Sequence, residues 1–181
     1  MAGWRSTRST PTSPRPASGI ALDGDQAYVI ADTLELDRFT PPDASSVETI
    51  ATLLPGPTHD WWDNVRDYRG WIGLDDARLF FWQAEADRTF ELCSVPKLGG
   101  AQACSAPIAS IGPFTVTSSA AYAHVDGRFV RVDKTTGAGD VFWDAGDWRV
   151  TGNVWAVTGG VEWLTSDGDL YRFDEPACWR K

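Results

Sequence analysis

The chain has 181 residues, of which 43% are apolar, and a formal net charge of −9. No apolar run approaches the roughly 18 residues that a membrane-spanning helix needs. The acidic balance argues against nucleic acid or an anionic membrane as the main partner, because both repel an acidic surface. The length and the apolar content are sufficient for one domain with a sizeable core.

Residues 1–18 are predicted to be a disordered leader or linker. They are rich in Ser, Thr, Pro and Arg and contain no acidic residue, so residues 19–181 carry a net charge of −12. A secretory signal would need an apolar stretch of about seven or more residues after its basic start, and this segment has none. Two alternatives follow: a cytoplasmic protein, or an exported protein whose true beginning is missing from this chain.

From residue 19 onward, an apolar residue is followed six positions later by an aromatic one in four copies, which start 52, 42 and 41 residues apart. Each copy leads into a third apolar cluster. Periods of roughly 40 to 50 residues with several short strands are typical of β-propeller blades. The pairs are Leu22 and Tyr28, Leu74 and Phe80, Val116 and Tyr122, and Val157 and Trp163. The third clusters are Leu36 to Phe39, Leu92 to Val95, Phe129 to Val132, and Leu170 to Phe173.

The repeat predicts an all-β fold, a β-propeller of about four four-stranded antiparallel blades with the last blade incomplete. Its apolar runs are short and are bounded by Gly, Asp or Ser, which favours strands over helices. The predicted blades span residues 19–56, 71–108, 112–146 and 153–175, followed by a tail at 176–181. The third copy shows the predicted strands most clearly: Phe114–Val116, Ala121–Val125, Phe129–Val132 and Val141–Trp143. The fourth copy predicts three: Val154–Val157, Val161–Thr165 and Leu170–Phe173.

The second strand of every copy has two adjacent apolar residues. Neighbouring strand residues point to opposite faces of a sheet, so this pattern predicts that both faces of each blade are buried, as in sheets stacked around an axis. The adjacent pairs are Tyr28 and Val29, Phe80 and Phe81, Tyr122 and Ala123, and Trp163 and Leu164.

The longest insertion, residues 55–70, is the candidate ligand-binding segment. Its aromatic side chains offer flat faces to a sugar or a peptide, and polar side chains lie among them. The alternative is a solvated loop that its two tryptophans hold in place. The candidate ligand-binding residues are His59, Asp60, Trp61, Trp62, Asp63 and Tyr68. The spacing of His59 and the nearby aspartates matches no known metal site, so no metal or cofactor is predicted.

The positions of two insertions indicate a functional face. In a blade, the loop between strands two and three and the link to the next blade open at the same end. Residues 55–70 are such a link, and the extra stretch Gln83 to Glu91 in the second copy is such a loop. Because binding usually resides in loops on a rigid scaffold, that end is the predicted site.

Cys93 and Cys104 flank a predicted turn at Leu98-Gly99, which would place them opposite each other on adjacent strands. A disulfide between them is possible and would favour an oxidising compartment, and two buried free thiols are the alternative. Cys178 is left over and is available to another chain or to a missing segment.

The third strand and its turn resemble the propeller repeats of bacterial extracellular proteins related to the NHL and TolB-type propellers. The motif stands as Phe129-Val-Arg-Val-Asp-Lys-Thr-Thr-Gly137 and Leu92-Cys-Ser-Val-Pro-Lys-Leu-Gly-Gly100, and more loosely as Leu36 to Phe39 and Leu170 to Phe173. The resemblance covers residues 19–175 and implies a propeller fold. It does not imply one function, because such propellers serve as enzymes, binders and structural modules.

Complete members of that class have more blades than this chain shows. An unclosed propeller leaves sheet faces and strand edges bare, which invites further pairing. The alternatives are a tight four-bladed ring, a fragment of a larger propeller, or self-association that completes the ring. Pro11, Pro14 and Pro16 make the N-terminal segment a poor donor of the missing strand, which favours a partial propeller.

The sequence predicts a non-catalytic binding or interaction module with a protein or carbohydrate ligand, within an exported or cell-envelope bacterial protein. It contains no nucleophile-elbow, phosphate-loop or metalloprotease motif. Its two histidines, His59 and His124, lie in unrelated contexts, and His124 is interpreted as a packed or partly exposed strand residue. The alternative is a propeller-fold enzyme of the lyase or lactonase type, with or without a metal requirement.

Overall fold

The computed structural model describes 15 β-strands and no helix in the parts of the chain listed next. These parts are residues 17–31, 34–53, 72–85, 89–108, 112–125, 127–134, 136, 138–144, 150–165 and 168–176. The predicted leader and tail therefore fall almost entirely outside the described residues, and their disorder stays a prediction.

The strands form four separate sheets, numbered here in chain order. Sheet 1 contains β1 (Ala17–Asp23), β2 (Gln26–Ala31), β3 (Glu35–Thr40) and β4 (Asp43–Thr52). Sheet 2 contains β5 (Gly73–Leu74), β6 (Arg78–Ala84), β7 (Phe90–Pro96) and β8 (Ala103–Cys104). Sheet 3 contains β9 (Phe114–Val116), β10 (Ala120–Val125), β11 (Arg128–Asp133) and β12 (Gly139–Asp144). Sheet 4 contains β13 (Val150–Val157), β14 (Gly160–Thr165) and β15 (Leu170–Asp174).

Each sheet is a simple antiparallel meander in which the spatial order of the strands is their order in the chain. In sheets 1 and 4 the turns between the first and second strands are tight, and glycine provides the left-handed backbone that they require: φ is 58° at Gly24 and 78° at Gly159. The predicted fold class, a β-propeller of four sheets of which the last is incomplete, is confirmed. In the third copy, the observed strands differ from the predicted ones by at most two residues at either end.

Three apolar clusters join consecutive sheets, and we call each such contact a joint. Tyr28, Ile30 and Leu36 pack against Leu79 and other residues of sheet 2 in the first joint. Phe80, Trp82 and Leu92 pack against sheet 3 in the second joint. Tyr122 and Phe129 pack against Val161 and Trp163 in the third joint. Among the described residues, no such cluster joins sheet 4 to sheet 1.

The strand register assigns every side chain to one of two faces. We call the side toward the next sheet in the chain the forward face and the opposite side the backward face. Directly paired residues share a face, and neighbours along a strand alternate. Tyr122 pairs with Arg131 and lies on the forward face of sheet 3, whereas Ala121 pairs with Val132 and lies on the backward face.

The fourth copy is offset by one residue from its predicted alignment. In sheet 3, Val132 pairs with Ala121, and in sheet 4 its counterpart Phe173 pairs with Val161. The position of Tyr122 in sheet 4 is therefore held by Glu162, not by Trp163. Trp163 lies instead on the backward face, where its ring centroid is 4.3 Å from that of Phe129. The predicted pairing of Val157 with Trp163 as the fourth copy is wrong.

A second contact, which we call a latch, accompanies each joint. It joins a residue at the end of the first strand of one sheet to a residue in the turn after the third strand of the next sheet. Lys97 Nζ donates to Asp23 Oδ2 at 2.6 Å in the first joint, and Lys134 Nζ donates to Asp75 Oδ2 at 2.6 Å in the second. In the third joint, Thr117 donates its hydroxyl proton to Glu175 Oε1 at 2.8 Å.

The prediction that both faces are buried holds for sheets 2 and 3 and is wrong for the outer faces of sheets 1 and 4. Phe80, Phe81, Tyr122 and Ala123 are all at most 3% exposed. Val29 on the backward face of sheet 1 and Leu164 on the forward face of sheet 4 are only half-buried. The physical reason is that no sheet in the described part of the chain packs against either outer face.

Candidate functional site

The predicted functional face corresponds to one end of every sheet, which we call the loop end. The connection between the second and third strands and the link to the next sheet both lie there. The chain leaves sheet 1 at Leu53, which is buried, and enters sheet 2 at Ile72, and both residues pack in the first joint. The long insertion therefore starts and finishes at this end of the first joint. All six predicted ligand-binding residues, at 59–63 and 68, lie outside the described residues.

The second copy extends its hairpin toward the loop end. Gln83 pairs with Glu91, and Ala84 pairs with Phe90, so these residues belong to β6 and β7. The connection between the two strands is only residues 85–89. The stretch from Gln83 to Glu91, predicted as an extra loop, is therefore mostly a longer hairpin, because Phe90 and Ala84 continue the apolar packing of the second joint.

A polar cluster lies on the backward face of this extended hairpin. Gln102 Nε2 donates to Gln83 Oε1 at 2.8 Å, and Gln83 Nε2 donates to Glu85 Oε1 at 3.2 Å. Glu91 is the register partner of Gln83. Gln83 is only 5% exposed, whereas Glu85 and Glu91 are half-buried and Gln102 is exposed. We call these four residues the loop-end cluster. Its amides and carboxylates come from the β6–β7 hairpin and from Gln102, which precedes β8.

Electrostatics inside the cluster act on Glu91. Burial raises the pKa of the Glu91 carboxyl, and the nearby Glu85 carboxylate raises it further. Two carboxylates that repel each other in a half-buried place gain from any group that donates hydrogen bonds to both. The carboxylate oxygens of the loop-end cluster can therefore accept further hydrogen bonds.

A disulfide ties β7 of this hairpin to the next strand, β8. Cys93 and Cys104 are directly paired on β7 and β8, and their sulfur atoms are 2.06 Å apart. Gln102 Nε2 lies 3.1 Å from Cys104 Sγ, which connects the bridge to the cluster. The Glu91 carboxylate and the two sulfurs lie within 4.8 Å of one another. Because the sulfurs are bonded to each other, they are not thiolates, and this group does not form a metal site while the disulfide is intact.

The other polar groups in the joints serve packing. Burial and the Glu175 carboxylate raise the pKa of Tyr122, whose hydroxyl lies deep in the third joint. Burial opposes ionisation of Glu175, but hydrogen bonds from Ser119 and Thr117, the nearby Tyr122 hydroxyl and the charge of Arg131 outweigh it and lower its pKa. These groups lie between sheets 3 and 4.

A small cleft opens between sheets 2 and 3, beside the Lys134 latch. Its volume is about 60 Å³, and it is lined by Ser94, Ser105 and Thr136 among others. Ligand pockets commonly measure roughly 300 to 1,000 Å³, so this cleft has room for a few water molecules at most. His124 offers no alternative site: it is half-buried on β10, its ring centroid is 5.0 Å from that of Phe129, and burial lowers its pKa.

No family model and no curated protein matches the sequence. Several solved structures match the fold. The computationally designed Ika4 protein matches with a TM-score of 0.62 at 12% identity, over 89% of this chain and 92% of that one. The extracellular domain of BT4673 from B. thetaiotaomicron matches with a TM-score of 0.55 at 14% identity, over 91% of this chain but 22% of that one.

A protein of unknown function from Bacteroides thetaiotaomicron matches with a TM-score of 0.51 at 15% identity, over 86% of this chain and 42% of that one. At these identities the likeness shows the propeller fold alone. The chain spans between about a fifth and two fifths of the two natural proteins. No helix in the described part of this chain has the length and apolarity needed to cross a membrane.

The sequence predicts the loop end but not the residues of the loop-end cluster. It predicts Gln83 and Glu91 as part of a loop, and nothing in it distinguishes Gln102. One signal was available: the polar residues Gln83 and Glu91 are separated by an even number of positions from the apolar residues Phe81 and Cys93, respectively. This alternation places them on the same backward face.

Proposed function

We propose that the protein is a non-catalytic β-propeller binding module, whose ligand binds at the loop end of the first joint. The observation that carries this proposal is the loop-end cluster, with two amides and two carboxylates on sheet 2, where a disulfide ties β7 to β8. Loops supply binding groups most effectively when a rigid element positions them. The predicted aromatic residues Trp61, Trp62 and Tyr68 are in the insertion that starts beside this cluster.

We propose carbohydrate as the ligand class, with an extended protein segment as the second candidate. A sugar hydroxyl both donates and accepts hydrogen bonds, and amide and carboxylate side chains satisfy both roles at once. Aromatic rings stack on the apolar faces of sugar rings. The acidic surface favours neutral or basic glycans over sulfated or phosphorylated ones.

An exported or cell-envelope location is part of this proposal. The disulfide between Cys93 and Cys104 supports it, since structural disulfides persist in oxidising compartments. The fold likeness to the extracellular domain of BT4673 is in agreement with it.

The test is a panel of neutral, basic and acidic oligosaccharides screened by thermal shift and then by calorimetry on the full chain. The variants Gln102→Ala and Glu85→Gln should weaken the best binder by roughly five- to tenfold each, because each removes a hydrogen-bonding group. A Trp61→Ala, Trp62→Ala double variant should weaken it further. The matched control is Leu98→Ala, an exposed residue in a turn at the opposite end.

If the binder were unaffected by the cluster and insertion variants but sensitive to changes elsewhere, the proposed site would be wrong. Binding of a peptide library with no binding of any glycan would move the ligand to the second candidate. Turnover of a glycan, or a strong rise in melting temperature with a divalent cation, would replace the binding module by the enzyme alternative.

A further inference from the structure

Two sheet faces expose large apolar side chains. Ile20 and Leu22 on the backward face of sheet 1 are 60% and 65% exposed, and Trp155 and Leu170 on the forward face of sheet 4 are 41% and 62% exposed. Their faces follow from the register, since Leu22 pairs with Ala27, Trp155 with Glu162, and Leu170 with Leu164. Surfaces of this kind on a repeat protein commonly receive another element.

The backward face of sheet 1 carries the same positions that fill the joints elsewhere. Val29 is the counterpart of Phe81, Ala123 and Trp163, which all pack against the preceding sheet. Phe39 is the counterpart of Val95, Val132 and Phe173, which do the same. The surface that fits this face is therefore the forward face of a sheet of the same repeat.

The latch positions at the two open faces match each other. In the turn after the third strand, the residue of sheet 1 that corresponds to Lys97, Lys134 and Glu175 is Pro41. At the end of the first strand, the residue of sheet 4 that corresponds to Asp23, Asp75 and Thr117 is Val157. Each internal latch joins groups that complement each other, and Pro41 against Val157 completes the series as an apolar pair.

Arg172 points to the same arrangement. Its counterpart in sheet 1, Arg38, donates from Nη1 to the carbonyl oxygen of Lys97 across the first joint at 3.1 Å. Arg172 lies on the forward face of sheet 4, where Glu162 and Asp174 hold it at 3.2 and 2.7 Å. If sheet 1 of another copy packed there, the carbonyl oxygen of Pro41 would occupy the place of the Lys97 carbonyl. The charged group on this face would then have a partner on the incoming sheet.

We propose that a second copy of the chain closes the propeller. The forward face of sheet 4 in each copy packs on the backward face of sheet 1 in the other, which gives a two-fold symmetric ring of eight sheets. Both open faces are covered at once, and every joint keeps the same sense. A dimer through two backward faces of sheet 1 would leave Trp155 and Leu170 exposed and the two latch positions unmatched. This proposal does not depend on ligand binding.

The first measurement is the mass in solution by light scattering and native mass spectrometry. The expected mass is twice the 19.8 kDa of one chain at about 100 μM, where a complex of micromolar affinity is formed. A monomer at this concentration overturns the proposal, and so does an open-ended series of larger assemblies or a stable complex with a different protein only.

Two variants distinguish the proposed ring, which uses both open faces, from a dimer that uses only one of them. Leu22→Glu and Leu170→Glu each place a charge in the joint and should weaken the dimer by at least roughly 30-fold. Val141→Glu is the matched control, because Val141 is 56% exposed on an outer strand of sheet 3, away from both open faces. A mixture of the two variants should form a heterodimer, because one of its two joints is unaltered. Dimer loss in Leu22→Glu alone, without loss in Leu170→Glu, would indicate contact through sheet 1 only and overturn the ring.

An engineered pair of opposite charges makes the test independent of folding defects. Pro41→Lys and Val157→Asp should each weaken the dimer by roughly tenfold, because each leaves a charge without a partner in the joint. The double variant reproduces the Lys97 and Asp23 latch and should regain most of the affinity. Additive loss in the double variant would show that the two positions do not meet.

Discussion

Sheets 2 and 3 bury both of their faces, whereas sheets 1 and 4 bury one each, and the residue types follow this difference. The forward position of the second strand is aromatic in the first three sheets, as Tyr28, Phe80 and Tyr122, where another sheet covers it. In sheet 4 it is Glu162, paired with Arg172 at 3.2 Å. The repeated residue pattern therefore determines how one sheet packs on the next, and not only where the strands of one sheet lie. In the described part of the chain no sheet covers the forward face of sheet 4, and this charged pair lies on it.

The largest expected difference is between a filled joint and an open face. Phe81→Ala should reduce the free energy of unfolding by about 3–5 kcal/mol, because Phe81 is fully buried in the first joint. Leu22→Ala, measured in dilute protein, should change it by less than about 0.5 kcal/mol, because Leu22 is mostly exposed. Urea denaturation measures both. Equal losses would mean that sheet 1 is covered within a single chain.

The disulfide between β7 and β8 distinguishes sheet 2 from the other three sheets. The double variant Cys93→Ala, Cys104→Ala should lose about 2–3 kcal/mol, because the bridge closes a loop with a sequence separation of 11 residues. Urea denaturation of the oxidised protein, of the reduced protein and of the variant provides the measurement. If reduction left the unfolding midpoint where it was, the bridge would contribute nothing to stability.

A latch and an exposed ion pair should respond differently to loss of charge. Lys134→Met leaves the Asp75 carboxylate without its cation in the second joint and should cost about 1–3 kcal/mol. Asp174→Asn removes one partner of Arg172 at the surface and should leave the melting temperature unchanged. A melting temperature that falls equally in both variants would contradict the distinction.

The pH dependence of the Lys134 variant gives a second check. Burial raises the pKa of Asp75, but hydrogen bonds from Lys134 and from the amides of Ala77 and Arg78 outweigh it, so the pKa lies below its ordinary value of 3.8. A depressed carboxyl pKa contributes stability above the ordinary pKa, and this contribution is lost as the pH falls through the folded-state pKa. The difference between the wild type and Lys134→Met should therefore shrink in strong acid.

The smallest expected effect concerns the loop-end cluster. Burial and Glu85 raise the pKa of Glu91, so the folded state favours its protonated form. Glu91→Gln should therefore raise the melting temperature slightly at neutral pH, and the difference should disappear as the pH falls below the ordinary carboxyl pKa. The matched comparison is Glu48→Gln on sheet 1. A Glu91 variant that is less stable than the wild type at pH 7 would mean that its charge has a favourable partner.

The sequence predicted the fold well where strand runs and turns are short and well separated. Phe114–Val116 was predicted without error, because Thr and Ser follow it directly. It failed at the fourth copy, because Val157 lies six residues before the aromatic Trp163, whereas the observed counterparts of Val116 and Tyr122 are Ala156 and Glu162. Glu162 is charged and therefore does not fit the apolar-to-aromatic pattern of the other three copies.

The site was predictable only in its location. Chain topology alone places the insertion and the extended hairpin at one end, so the face could be inferred without side chains. The contact of Gln102 with Gln83 links residues that are 19 positions apart and depends on the register of three strands. The Lys97 latch spans 74 positions and the Lys134 latch 59, and no local pattern shows which lysine reaches which aspartate.

The latches also restrict which sheets can stack on each other during folding. Similar sheets in a repeat protein can stack in the wrong order, which is a common cause of misfolding. If sheet 4 stacked on sheet 1 or sheet 2, Glu175 would face the carboxylate of Asp23 or Asp75, and the two negative charges would repel. On sheet 3 the same Glu175 meets the hydroxyls of Thr117 and Ser119, at 2.8 and 2.6 Å. A single carboxylate thus favours one neighbour among three that are otherwise alike in shape.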